Sequence, residues 1–182
     1  MVKSPLATPF LTSDQRKLLN IPYYRPVAKY DCAYSFVSQA RSGYPTPLKT
    51  VLWFGYDNPN TTCYVPIYCG ALDTRENWRT FDRDAFSLNS AQWAFILADD
   101  LVNKRYQDAI KDLHQVRDPL EEAFFKEQKD VDAKALELSK KNLQSAKDYL
   151  TEYTKSCMEK VEKAWWNLNW TLITKYNNNK VK

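Results

Sequence analysis

Thr50-Val-Leu-Trp-Phe-Gly55 is a continuous apolar run of β-branched and aromatic residues, closed by a glycine. It is too short for a stable helix and has the composition of a strand covered on both faces. Working outward, Gly43-Tyr-Pro-Thr-Pro47 before it and Asp57-Asn-Pro-Asn60 after it are both turn sequences. Beyond the first turn, in Ala33–Ala40, Tyr34, Phe36 and Ser38 alternate with Ser35, Val37 and Gln39, a period of two that predicts another strand. Beyond the second turn, Thr62–Tyr68 predicts a third strand, where Pro66 requires an edge position or a bulge. Three strands joined by two turns make an antiparallel meander.

The flanks of the meander differ. Eight of the 9 prolines precede residue 67, the last is Pro119, and neither proline nor glycine occurs from Leu120 to Lys182. Residues 1–31 read as an extended lead-in pinned by Pro5, Pro9, Pro22 and Pro26, with a short helical turn opening at Ser13-Asp-Gln-Arg16. Residues 32–70 hold the meander, 71–88 a charged linker and 89–182 a helical layer, the whole forming one α+β domain. Asn89 or Ser90 is the expected N-cap of a helix reaching about Val116. Arg117-Asp118-Pro119 is expected to break it, with Asp118 as the next N-cap and Pro119 at the first helical position. An apolar seam then steps by three or four from Val131 to Leu172, as one very long helix or two with a soft break near residue 156.

Composition narrows the function classes. Among 182 residues there are 3 glycines, and neither GxGxxG nor GxxxxGK[ST] occurs, so a phosphate-cradling loop is not expected. The net charge of +4 is spread over lysines that alternate with acids, a solvated helix surface and not a nucleic-acid footprint. No 18-residue apolar stretch exists to span a membrane, and the first twenty residues carry no apolar leader core. Cys32, Cys63, Cys69 and Cys157 lack CxxC spacing and His114 is the single histidine, so no metal and no cofactor are expected. The thiols read as free, although Cys63 and Cys69 could meet across a strand pair. His114 reads as a solvated or capping residue. Asn60-Thr-Thr62 and Asn169-Trp-Thr171 match the N-glycosylation pattern, which would matter in a secretory compartment.

Six segments, in order, resemble the C-terminal region of the dipeptidase A family, cysteine peptidases related to secernins. They are Tyr24-Arg-Pro-Val27, Ser35-Phe-Val-Ser-Gln-Ala-Arg41, Val51-Leu-Trp-Phe-Gly55, Tyr64-Val-Pro-Ile-Tyr-Cys-Gly70, Asn89-Ser-Ala-Gln-Trp93 and Tyr149-Leu-Thr-Glu-Tyr-Thr154, the last followed by a Trp165-rich helix ending at Lys175-Tyr176. The resemblance implies an N-terminal-nucleophile (Ntn) hydrolase with an αββα sandwich, acting on dipeptides. In such chemistry the thiol of a chain-initial cysteine attacks the amide, and its own α-amine, which titrates near neutrality, serves as base. The first cysteine here is Cys32, behind 31 residues, so the nucleophile is expected to lie outside these 182 residues and no catalytic residue is assigned within them.

Candidate substrate contacts are Arg25, whose guanidinium beside Pro26 could pair with a carboxylate, Asn89 as a donor to an oxyanion, and Trp93 as a cleft wall. Trp53 is the alternative cleft residue, with burial in the core its simpler reading. The expected partner is a dipeptide once the remaining half is supplied, with self-association a further expectation and neither nucleic acid nor membrane. The competing reading is a non-catalytic interaction module. The sequence leaves the compartment open between cytoplasm and the secretory or lysosomal route.

Overall fold

A computed structural model of the chain describes residues 8–25 and 27–176; Pro5, Pro26 and the segment after Tyr176 lie outside the described residues. Strands β1 (Tyr34–Ala40), β2 (Thr50–Tyr56) and β3 (Val65–Tyr68) form an antiparallel sheet in sequence order, as the meander reading requires. Pro66 sits on edge strand β3, where a missing N–H costs no ladder bond. The third strand starts at Val65, later than expected, because Thr62 and Cys63 are buried within the connecting turn.

Two glycines are steric requirements here. A Cβ on Gly55 would collide with the Thr62 side chain, and one on Gly70 would lie 2.7 Å from the carbonyl of Pro47. The β2–β3 turn therefore packs directly on β2, and the β1–β2 turn packs on the chain leaving β3.

β2 corrects the expectation of two covered faces. Its residues alternate strictly, Val51, Trp53 and Gly55 buried and the intervening Leu52, Phe54 and Tyr56 only half-buried. The apolar run is continuous because the outer face is apolar too: Tyr56 packs there on Trp78 and on Phe95 of the helical layer, whereas the β1 side of that face stays exposed. Registered with Phe54 and Tyr56 on that face are Phe36 and Tyr34 of β1, and Tyr34 stacks on Phe54 with ring centroids 5.8 Å apart.

Helix α1 (Ser13–Leu19) occupies the predicted helical turn and runs three residues further. A capping box fixes its start: Thr12 accepts from the Gln15 N–H while the Gln15 side chain accepts from the Thr12 N–H. The remaining helices are α2 (Ala91–Lys104), α3 (Tyr106–Lys141) and α4 (Leu143–Tyr176).

Both expected helix breaks move. The first lies at Arg105 (φ −147°, ψ 52°), and Pro119 is inside α3. An interior proline costs about 3 kcal/mol. Here Leu113 on one side of it and Phe124 on the other are both fully buried, so continuing the helix secures more apolar burial than the break would save. The second break lies at Asn142, not near residue 156. Asn142 adopts extended backbone, and its side-chain carbonyl accepts from the Gln144 N–H at 2.9 Å, a local bond that competes with the helix. The seam is thus a helical hairpin. Tyr153 reaches Glu127 and Lys175 reaches Asp112, so α4 returns antiparallel along α3.

The core lies between this helical layer and the inner sheet face. Trp165 is fully buried and stacks on Phe95 of α2 at 5.1 Å. Asn169 is also fully buried and donates to the Ala94 carbonyl, so the second glycosylation pattern is a packed core position in the folded chain. A buried ion pair, Arg41 with Asp132, ties the end of β1 to α3, and Tyr68 donates to the same carboxylate at 2.9 Å.

Candidate functional site

Where the linker crosses α4 it leaves a polar hollow of 740 Å³. A 3-10 turn at Glu76–Trp78 fixes the linker's path. Trp78 is buried between Tyr56 and Phe95, and the Asn77 amide donates to Glu162 of α4. Arg75 adds ion pairs to Glu159 at 3.2 Å and to Glu162 at 3.8 Å. Asp73 then bridges Arg79 at 2.7 Å and Lys155 at 2.8 Å. The bond from Lys155 holds the Asp73 carboxyl below its ordinary range, whereas burial lifts that of Glu162. With Glu76 and Asn89 also on the wall, the hollow presents charges of both signs, most of them paired with one another.

The three candidate contacts are not brought to one place. Asn89 lines the hollow; Ser90 holds the N-cap position of α2, without a side-chain capping bond. Trp93 faces the linker instead. Its indole N–H donates to the carbonyls of Asp82 (3.0 Å) and Ala85 (3.1 Å), and its ring packs on Phe81 and Phe86. Arg25 is exposed in the lead-in and is not among the residues lining the hollow. Trp53 is core, with its ring against Phe125 at 4.5 Å.

A second polar cluster joins the β2–β3 turn to α2. Asp57 takes a left-handed backbone (φ 64°), which Asp tolerates better than most residues. Its neighbour Asn58 and Thr61 both donate to Asp99, and Asn103 donates to the other oxygen of the same carboxylate. Burial pushes the Asp57 carboxyl up to about 7, and the charges of Asp99 and Asp100 add to the effect. The sequence reading took Asp57–Asn60 for a turn and passed over Asp99. A signal was present, since Asp99-Asp100 interrupts an otherwise apolar Ala94–Val102.

The four thiols are free and dispersed. Burial raises the Cys63 thiol well above its ordinary value and pushes Cys157 up to about 12. Cys69 is exposed and donates to the Thr46 carbonyl, and Cys32 is half-buried at the entry to β1. Burial lowers the pKa of His114, whose charged neighbours are Arg117 and Asp118. Among the described residues no three His, Cys, Asp or Glu side chains converge so as to hold a metal ion, and no helix is long and apolar enough to cross a membrane.

A protein-family model, Peptidase family C69, matches residues 9–118. The chain belongs to peptidase family C69. It is thereby a relative of the dipeptidase A and secernin-like cysteine peptidases, in line with the resemblance read from its segments. No curated protein matches the chain. The C69 match takes in the lead-in, the whole sheet, the linker and α2, and it ends one residue before Pro119. The helical hairpin that buries the sheet's inner face is therefore mostly outside it, as are Asp132 and Lys155. For a C69 chain the state of the thiols is the chemical question. A nucleophilic cysteine is activated by a lowered pKa or an adjacent base, and Cys63 and Cys157 are shifted the opposite way.

Proposed function

We propose that this chain is the C-terminal portion of a C69 dipeptidase and that the cysteine which attacks the dipeptide bond comes from outside these 182 residues. The family match over residues 9–118 carries this reading. Two features support it. The outer sheet face is apolar, Tyr34 and Phe36 on it are exposed, and among the described residues no second sheet stacks on it as an αββα sandwich would require. Cys63 and Cys157, buried with raised thiol pKa values, are the opposite of activated nucleophiles.

In this reading the chain supplies one sheet, the helical layer behind it and a polar wall. A dipeptide is a zwitterion, and in this reading its carboxylate takes the place of Asp73 beside Arg79 and Lys155 while its ammonium pairs with the Asp73 or Glu76 carboxylate. Asn89 is a substrate-side donor on that wall. Trp93 acts through its grip on the linker and not by direct contact. Arg25 remains the candidate contact of the lead-in.

The test is hydrolysis of a dipeptide panel by the chain alone and by the chain mixed with the nucleophile-bearing N-terminal half of a C69 dipeptidase. Thiol-dependent cleavage is expected in the mixture and not in the chain alone. Cleavage by the chain alone would overturn the proposal. A stable fold with no activity in either condition would favour the second reading, a non-catalytic interaction module, for which the exposed apolar residues of edge strand β1 are the favouring observation.

A further inference from the structure

The two edges of the sheet are unequal. β3 carries Pro66, and Thr154 of α4 donates to its carbonyl at 3.4 Å. Among the described residues β1 is an edge without such protection. Its sequence, Tyr-Ser-Phe-Val-Ser-Gln-Ala, contains no charge and no proline, and Tyr34, Phe36 and Val37 are 57, 56 and 59% exposed. Natural edge strands this apolar are covered or paired.

The backbone register defines what the edge offers. The Arg41 N–H donates to the Lys49 carbonyl at 2.8 Å, and the Asp57 N–H donates to the Ala33 carbonyl at 2.9 Å. Odd-numbered residues from 33 to 41 therefore turn their N–H and C=O toward β2. The even-numbered Tyr34, Phe36, Ser38 and Ala40 turn theirs outward, and among the described residues none of these groups takes part in a backbone bond outside the sheet.

We infer that β1 pairs with β1 of a second copy of this chain, antiparallel, about a two-fold axis through Val37. That centre brings all seven strand residues into the ladder, whereas centres at Phe36 or Ser38 leave two unpaired. It matches outward-facing residues to each other, Phe36 to Ser38 and Tyr34 to Ala40, so each aromatic side chain lies opposite a small one. Val37 meets itself as a non-hydrogen-bonded pair, the closer of the two antiparallel spacings. The strand's lack of charge removes the like-charge repulsion that a two-fold imposes on any residue at its centre. The result is one continuous six-stranded sheet with both helical layers on the same side and both β1 edges closed. This pairing uses the edge of β1 and not the outer face, and it is read by oligomeric state and crosslinking whereas the dipeptidase reading is read by hydrolysis, so the failure of one is distinguishable from the failure of the other.

Sedimentation velocity of the full chain over a range of concentrations, with two variants, tests it. The wild type is expected to shift reversibly toward twice its 21.3 kDa mass. Ser38→Pro deletes an N–H that points away from β2, and it should raise the dissociation constant by more than ~10-fold while the helical circular dichroism is retained. Val37→Cys should form an intermolecular disulfide under mild oxidation, beyond the background from Cys32 and Cys69 in the parent chain. A wild type that is monomeric throughout would overturn the inference. So would a dimer in which Val37→Cys gives no crosslink above background.

Discussion

On the inner side of the sheet Val51 and Trp53 are buried, Trp53 against Phe125 of α3, whereas on the outer side Tyr34 and Phe36 are more than half exposed and Phe54 is only half covered. The two faces are similarly apolar, so composition does not explain the difference. What differs is the second layer. The helical hairpin is present, with Trp165, Leu168 and Leu172 buried along α4. The outer face is covered at its Tyr56 end by Trp78 and Phe95, and among the described residues its Tyr34–Phe36 part has no cover, which in a C69 peptidase reading is the place of the second sheet.

Substitutions can break that contrast. Trp165→Ala should have the largest effect, a loss of about 3–5 kcal/mol of stability in urea unfolding, because it empties a fully buried site against Phe95. Asp57→Asn should act in the opposite direction and depend on pH. Folding lifts the Asp57 carboxyl from 3.8 to about 7. Below 3.8 both folded and unfolded chains hold the proton and the contribution to stability is full; it is lost as pH rises toward 7 and does not return above it. Asparagine keeps the left-handed backbone and removes that loss, so the variant should be more stable than wild type at pH 8 by on the order of 3 kcal/mol. The gain should shrink at pH 5, which paired unfolding curves at the two values would detect. Phe36→Ser, on the uncovered face, should have the smallest effect, under about 0.5 kcal/mol in the monomer. A large loss there would mean that the outer face is already covered.

The meander was legible because alternation, turn sequences and proline placement all act locally. Both helix ends were misread for one reason. Pro119 and the 131–172 seam were weighed as local signals, but burial of Leu113 and Phe124 overrides the proline, and a single Asn142 turns the seam back on itself. Asn89 could be placed on the linker side from its position alone. The rest of the hollow could not, since Asp73 and Lys155 are 82 residues apart in sequence and meet only because α4 folds back. The cluster of Asp57, Asn58 and Thr61 with Asp99 was hidden in the same way, by a turn docking on a helix whose start, Ala91, lies 34 residues after Asp57.

The central claim is that the nucleophilic thiol is not among these four cysteines. Site-resolved alkylation at neutral pH, with and without dipeptide, tests it most directly. Cys63 and Cys157 should react only on unfolding, and no thiol should combine fast alkylation with protection by dipeptide. A cysteine of this chain that alkylates rapidly at pH 7 and is shielded by dipeptide would contradict it.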